Sequence, residues 1–309
     1  MLAIFALLFL RKIETSSYMK LPNFLLGYSA LTLLLPTSSF AENSPQSENN
    51  GEQYQAMFPI WAQEAIDLGH KLPKPYGFSI NYMSMSQPLI VDSVAFSGLG
   101  SAIDKLVGVS GSQAIQDSET LTLRGDVWVL PFLNVYGVLG QTKGSSVANV
   151  QVNLAGTPVG DPFDFSLHFS GVTYGAGTTL VGGIGNWFAL LDVNYTNTDL
   201  DILDGEISTI VVTPRAGYRW EVGGRDIQVW GGAMYQNVEQ TFSGNLNDIG
   251  INLPPPLPSG GKFVVDQHLE EKWNGLIGGQ VSLTDNVDAL LEVGFGTRSS
   301  FMLGLGYRF

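Results

Sequence analysis

The chain closes on SSFMLGLGYRF, residues 299–309. In an extended strand Phe301, Leu303, Leu305, Tyr307 and Phe309 fall on one face, while Met302, Gly304, Gly306 and Arg308 fall on the other. A period of two with one greasy face demands an apolar partner for that face. Terminal residues of soluble domains usually fray and bury little. The pattern therefore raises lipid, rather than a protein core, as the partner.

The same alternation recurs upstream. In 119–143, Leu121, Leu123, Gly125, Val127 and Val129 alternate with Thr122, Arg124, Asp126 and Trp128. The chain is expected to turn near Pro131, which cannot donate to a ladder, and Leu133, Val135, Gly137 and Leu139 resume the pattern. Further hairpins are expected over 168–197, turning at 183–186, over 207–238, turning at 221–225, and over 268–297, turning at 284–286. With a first strand at 76–85 and a last at 300–309, that makes about ten strands. The turns are tight, and most of the intervening connections (86–118, 144–167, 198–206, 239–267) are long. Trp220, Tyr235, Trp273 and Tyr307 fall near strand ends, as interfacial aromatics do.

Composition agrees. Charged residues are 14% of the 309, glycine numbers 37, aromatics reach 11%, and cysteine is absent. The lack of cysteine removes thiolate chemistry, disulfides and cysteine-ligated zinc. A net charge of −13 speaks against nucleic-acid binding, which calls for a basic patch. At the N-terminus, LLGYSALTLLL (25–35) followed by SSFA (38–41) reads as a secretory signal cleaved before Glu42, with translation expected to start at Met19. Removing residues 1–41 deletes Arg11, Lys12, Lys20 and Glu14, leaving 12 basic and 27 acidic residues, net −15. Beyond the leader no apolar run approaches the roughly 20 residues of a spanning helix. In lipid, backbone groups must pair internally, so the remaining spanning structure is a closed barrel.

With its terminal FMLGLGYRF, the chain resembles Gram-negative outer-membrane β-barrels over about residues 76–309. The resemblance implies an all-β, antiparallel up-and-down transmembrane barrel in the outer membrane, in contact with lipid and lipopolysaccharide. It also implies that Phe301, Leu303, Leu305, Tyr307 and Phe309 form the signal read by the barrel-assembly machinery. Function does not follow from such a fold. A soluble sandwich or lipocalin-like barrel would turn the same faces inward on shorter strands. Ahead of the barrel, 42–75 is expected to be periplasmic and to carry a short amphipathic helix over 59–69. Ile60, Trp61, Ala65 and Leu68 form its apolar side, which would cap the barrel mouth or lie on the inner leaflet.

If the greasy face is outward, Arg124, Asp126, Asp192, Arg215, Arg219, Lys272, Glu292 and Arg308 line the lumen, together with Asn134, Asn194, Gln228, Gln236, Asn274 and Gln280. Five of those eight charges are basic, which leaves two readings: a self-satisfied filled interior, or a narrow, weakly anion-preferring pore. Trp128, Tyr136 and Trp230 point the same way and compete for the space. No cofactor or metal is expected. Two short patterns are candidates for catalysis. Asp266-Gln-His268 is similar to half of the omptin protease site, whose other half, Asp-x-Asp, has a single match here at Asp199 and Asp201. His168-Phe-Ser170 resembles the pair of outer-membrane lipid A deacylases. The composite expectation is a non-enzymatic barrel, a narrow channel or a surface-exposed structural protein, with an Asp266/His268 hydrolase as the alternative. The sequence is silent on oligomeric state.

Overall fold

The computed structural model describes residues 54–309 except 99–106, 111–112, 155, 159–160, 202–203 and 246–260. The expected leader and the proline-rich segment 253–258 lie outside the described residues. A short helix α1 (Ala62–Asp67) precedes thirteen strands. These are β1 (Tyr76–Ser97), β2 (Val107–Ser110), β3 (Gln113–Leu130), β4 (Leu133–Leu154), β5 (Thr157–Pro158), β6 (Phe163–Ile184) and β7 (Trp187–Leu200). They continue with β8 (Asp204–Val222), β9 (Arg225–Asn245), β10 (Lys262–Leu269), β11 (Trp273–Ser282), β12 (Val287–Phe295) and β13 (Ser299–Arg308).

Ten of them close a ring of antiparallel pairs in the order β1-β3-β4-β6-β7-β8-β9-β11-β12-β13 and back to β1. At the last seam Gly77 faces Arg308 and Ser86 faces Ser299. The Phe309 ring stacks on Tyr76 and Phe78, and its N–H bonds the Tyr76 carbonyl. The tight turns cluster at one end, the turn end. At the β8–β9 turn Gly223 and Gly224 both have positive φ (59° and 74°), the backbone of a two-residue hairpin whose twist matches its strands.

Outside, the wall carries an apolar band between two aromatic belts. Near the turn end lie Trp187, Tyr218, Trp220, Tyr307 and Phe309; Trp187 packs edge-on against Tyr218. At the other edge lie Tyr82, Tyr174, Tyr195, Tyr235 and Trp273. Three of those hydroxyls donate away from the band, Tyr82 to Glu119, Tyr174 to Asp199 and Tyr195 to Ser208. From Trp187 to Tyr195, at about 3.3 Å per residue and a tilt of roughly 40°, the band rises about 20 Å, close to the apolar height of about 25 Å in membrane barrels. The fold is an up-and-down transmembrane β-barrel. Large apolar side chains with no protein over them, such as Ile80, Leu123, Leu139, Ile277 and Leu305, are exposed where lipid would cover them.

The strands do not stop at the upper belt. The expected long loops at 86–118, 144–167 and 239–267 are in large part strand, extending β1, β3, β4, β6 and β9 beyond the apolar band. The reason is a change of sides by the apolar residues. On β6, Leu180, Ala176, Tyr174 and Val172 face out within the band, whereas Phe165, Leu167 and Phe169 face in above it, with Asp164 and His168 outside. The hairpin expected over 268–297 also starts later, at Trp273, and residues 262–269 form β10. This strand pairs with the upper parts of β9 and β1, bridging the gap where β11–β13 have ended. A ten-stranded ring thus becomes an eight-stranded one (β1, β3, β4, β6, β7, β8, β9, β10). Between the tiers, Arg298 in the β12–β13 turn is 1% exposed and donates to the carbonyls of Glu271, Lys272 and Met234.

Candidate functional site

The lumen holds the candidate site, and its lower part is a connected set of charge pairs. On β8 and β12, Arg215 grips Glu292 with two bonds, Nε to Oε2 at 2.7 Å and Nη2 to Oε1 at 2.9 Å. Trp230 Nε1 donates to the same carboxylate at 2.7 Å. Across the barrel, Arg308 donates to Asp126 at 2.8 Å and Asn134 Nδ2 donates to that same oxygen, Oδ2, at 2.7 Å. Arg124 donates to Asn134 Oδ1 and lies 3.5 Å above the centre of the Tyr136 ring. The Tyr136 hydroxyl donates to Asp192, as do Thr179 and Asn194.

Two glycines make this crowding sterically feasible. A Cβ on Gly278 would stand 2.8 Å from the Trp230 indole, and one on Gly177 would clash with Tyr136. The bulky inward rings therefore lie against bare backbone of the neighbouring strand.

Of the eight charges expected in the lumen, Arg124, Asp126, Asp192, Arg215, Glu292 and Arg308 line one cavity of about 510 Å³. Arg219 and Lys272 do not join them. Arg219 is exposed close to the turn end, its N–H bonded to the Asn186 carbonyl, and Lys272 is exposed in the link between β10 and β11. Asp288, which sequence reading passed over, lines the cavity and accepts from Ser282. The basic excess behind the anion-pore reading is therefore lost: three arginines face four carboxylates. The inward parity that Asp288 shares with Leu290 and Glu292 on β12 is the signal by which the sequence could have revealed it.

Above the cavity the interior is apolar. Leu89, Ala148, Val150, Phe165, Leu167, Phe169, Phe242, Phe263 and Val265 belong to one buried cluster. Phe169 on β6 reaches Phe242 on β9, with ring centres 5.6 Å apart, and Phe165 meets Phe263 edge-on at 5.9 Å. Rings from non-adjacent strands thus touch across the upper bore.

The catalytic alternatives do not assemble. Asp266 and His268 sit on the outside of β10, not at a mouth. Asp266 accepts from Ser93 and Thr241, and the His268 imidazole pairs with Asp92 at 2.7 Å. Asp199 and Asp201 belong to the β7 end of the wall, where Asp201 accepts from Ser170 and Asp199 from Tyr174. Ser170 and His168 are two residues apart on the outer face of β6, and the serine's bond runs to Asp201. Asp266, His268, Asp199, Asp201 and Ser170 are engaged in side-chain bonds along the outer wall.

On α1, one residue of the expected apolar side, Ala65, packs inward. Ala62 and Ala65 are buried, while Ile60, Trp61 and Leu68 are exposed. The segment is tied to the turn end through the Ile60 N–H to the Val129 carbonyl and through Phe58 against Tyr76.

No protein-family model matches the chain, and no curated protein matches it in sequence. Among solved structures it is similar to the β domain of the Bordetella autotransporter BrkA, at 14% identity over 76% of this chain and 100% of that one, TM-score 0.38. It is also similar to the outer membrane protein OprG from Pseudomonas aeruginosa (14%, 77% and 98%, TM-score 0.36) and to the toluene transporter TodX of Pseudomonas putida (8%, 76% and 88%, TM-score 0.28). At such identities and scores, what the lumen does rests on this chain's own residues. Those residues define a transmembrane β-barrel of the outer-membrane type with paired charges in its lumen and an apolar cluster in its upper tier.

Proposed function

We propose that the protein is an outer-membrane barrel, with its turn end and α1 in the periplasm and its upper tier at the cell surface, that acts as a surface-exposed structural barrel closed to free diffusion. The observation that carries this reading is the apolar cluster spanning the upper bore, in which Phe169 meets Phe242. An aqueous pore needs a continuous wet path, and aromatic side chains in contact across the bore oppose one. The pairing of Arg215 with Glu292 and Arg308 with Asp126 supports the same reading, because a dry or narrow lumen requires its charges to be neutralised.

A second reading is a gated channel, favoured by the cavity of about 510 Å³ beneath the cluster. Planar-bilayer recording of the purified protein separates the two. A structural barrel gives no steady conductance, and a gated channel gives brief openings from a closed baseline. A stable, large single-channel conductance in the wild type overturns closure itself.

A further inference from the structure

Polar atoms without partners collect at the top of the cavity. Three glutamines face the lumen where β1 leaves β13 for β10 and β9 leaves β11 for β10: Gln87, Gln236 and Gln240, exposed by only 5%, 7% and 3%. Gln87 donates to Gln116 at 3.0 Å and Gln240 donates to Gln267 at 2.8 Å, which ties the wall together. The side-chain oxygens of Gln87, Gln236 and Gln240 have no partner among the described residues. A buried acceptor without a donor costs free energy, so such groups are normally satisfied by something.

The surroundings say what kind of molecule would do so. All three glutamines line the cavity, and so do Phe169, Ile207 and Val238 of the apolar cluster above them. Arg124, Arg215 and Arg308 are occupied lower down with Asn134, Glu292 and Asp126. The upper cavity is thus an apolar ceiling over a collar of acceptors. An anion would meet the glutamine oxygens there with no free cation beside it, since the three arginines are paired lower down, a hydrocarbon would leave the glutamines unpaired, and a polyol would waste the ceiling. We propose that this pocket binds a small uncharged amphiphile that sets an apolar body against Phe169, Ile207 and Val238 and donates two or more hydroxyl hydrogens to the glutamine oxygens. The pocket is the upper end of a cavity of about 510 Å³ in all, within the range of small-molecule sites, roughly 300–1,000 Å³. The proposal rests on closure of the upper bore, because the ceiling is the closing cluster.

Isothermal titration of the purified barrel in detergent, with resorcinol as probe and toluene and glycerol as comparisons, tests it. Resorcinol should bind saturably at one site, with toluene and glycerol each at least about tenfold weaker, the worth of one lost hydrogen bond or one buried apolar face. Gln87→Met combined with Gln240→Met should weaken resorcinol by a similar factor. Gln236→Met, which breaks neither inter-strand amide bond, gives the same readout should the double variant not fold. Absence of saturable binding, equal binding of the three probes, or binding unchanged in Gln236→Met overturns the proposal and assigns water to the glutamines. Conductance recorded on the same preparation keeps the two ideas apart. A closed barrel that ignores resorcinol sinks only the pocket, and a conducting one sinks closure.

Discussion

Glu292 shows how much a single residue carries in this lumen. It is 4% exposed and takes three donated hydrogens, two from Arg215 and one from Trp230. Glu292→Gln keeps the shape and removes the charge, leaving the Arg215 guanidinium without its counter-ion. The expected loss is about 3 kcal/mol, the low end for a broken buried pair because Arg215 keeps some exposure. Urea unfolding in lipid vesicles measures it, and wild-type stability would mean that water screens the arginine. His268→Ala, in an exposed pair with Asp92, should change stability by less than about 1 kcal/mol in the same assay. On the lipid side, Leu191 lies midway between the belts at Trp187 and Tyr195. Leu191→Arg should cost about 2–4 kcal/mol. Asn194→Arg, placed in the lumen beside Asp192, should cost clearly less. Equal costs would mean that the wall's two faces have been exchanged.

Among the elements, β10 is the one whose meaning the sequence concealed. Its residues alternate as outward Val264, Asp266 and His268 and inward Phe263, Val265, Gln267 and Leu269. Read for chemistry, Asp266 and His268 suggest a site; seen in the sheet, they are rungs in a ladder to Thr241, Ser93 and Asp92. What holds β10 is its inner face, where Phe263, Val265 and Leu269 sit in the cluster that closes the bore. Val265→Asp would bury an unpaired carboxylate there. The expected outcome is a barrel that keeps its heat-modifiable gel mobility, because the ten-stranded ring is untouched. On intact cells its upper tier should become sensitive to added protease. Resistance equal to wild type would show that β10 is not what holds the tier together.

On the scale of the whole molecule, the ring is closed by a seam and its upper part is packed by an apolar core. The seam between β1 and β13 is finished by Phe309, stacked on Tyr76 and Phe78 and bonded to the Tyr76 backbone. Deleting Phe309 removes both contacts at the last rung of the ring. Less protein should then reach the outer membrane, with degradation fragments in the periplasm, as seen by fractionation and immunoblotting. Wild-type accumulation would show that the final rung is dispensable.

The lower ring was legible in the chain because lipid imposes one rule on every strand. Alternate residues such as Leu121 and Leu123, or Leu303 and Leu305, must be apolar, and a period of two survives in sequence without knowledge of any partner. The tight turns were legible for a similar local reason, since Gly223-Gly224 and Pro131 punctuate the chain by their own backbone chemistry. The upper tier was not, because there the apolar residues move to the opposite face: Phe165, Leu167 and Phe169 point inward on the same strand whose Val172 and Tyr174 point outward. Alternation alone does not say which face is which, and only the ring places Phe169 opposite Phe242. The lumen pairs belong to the same class. Inward parity was readable for Arg215, Glu292 and Trp230, but their meeting depends on strands separated by 77 and 62 residues being brought across one bore. Local periodicity thus determined the membrane-facing wall, and the three-dimensional closure of that wall decided that its interior holds paired charges, a cavity and an apolar cluster.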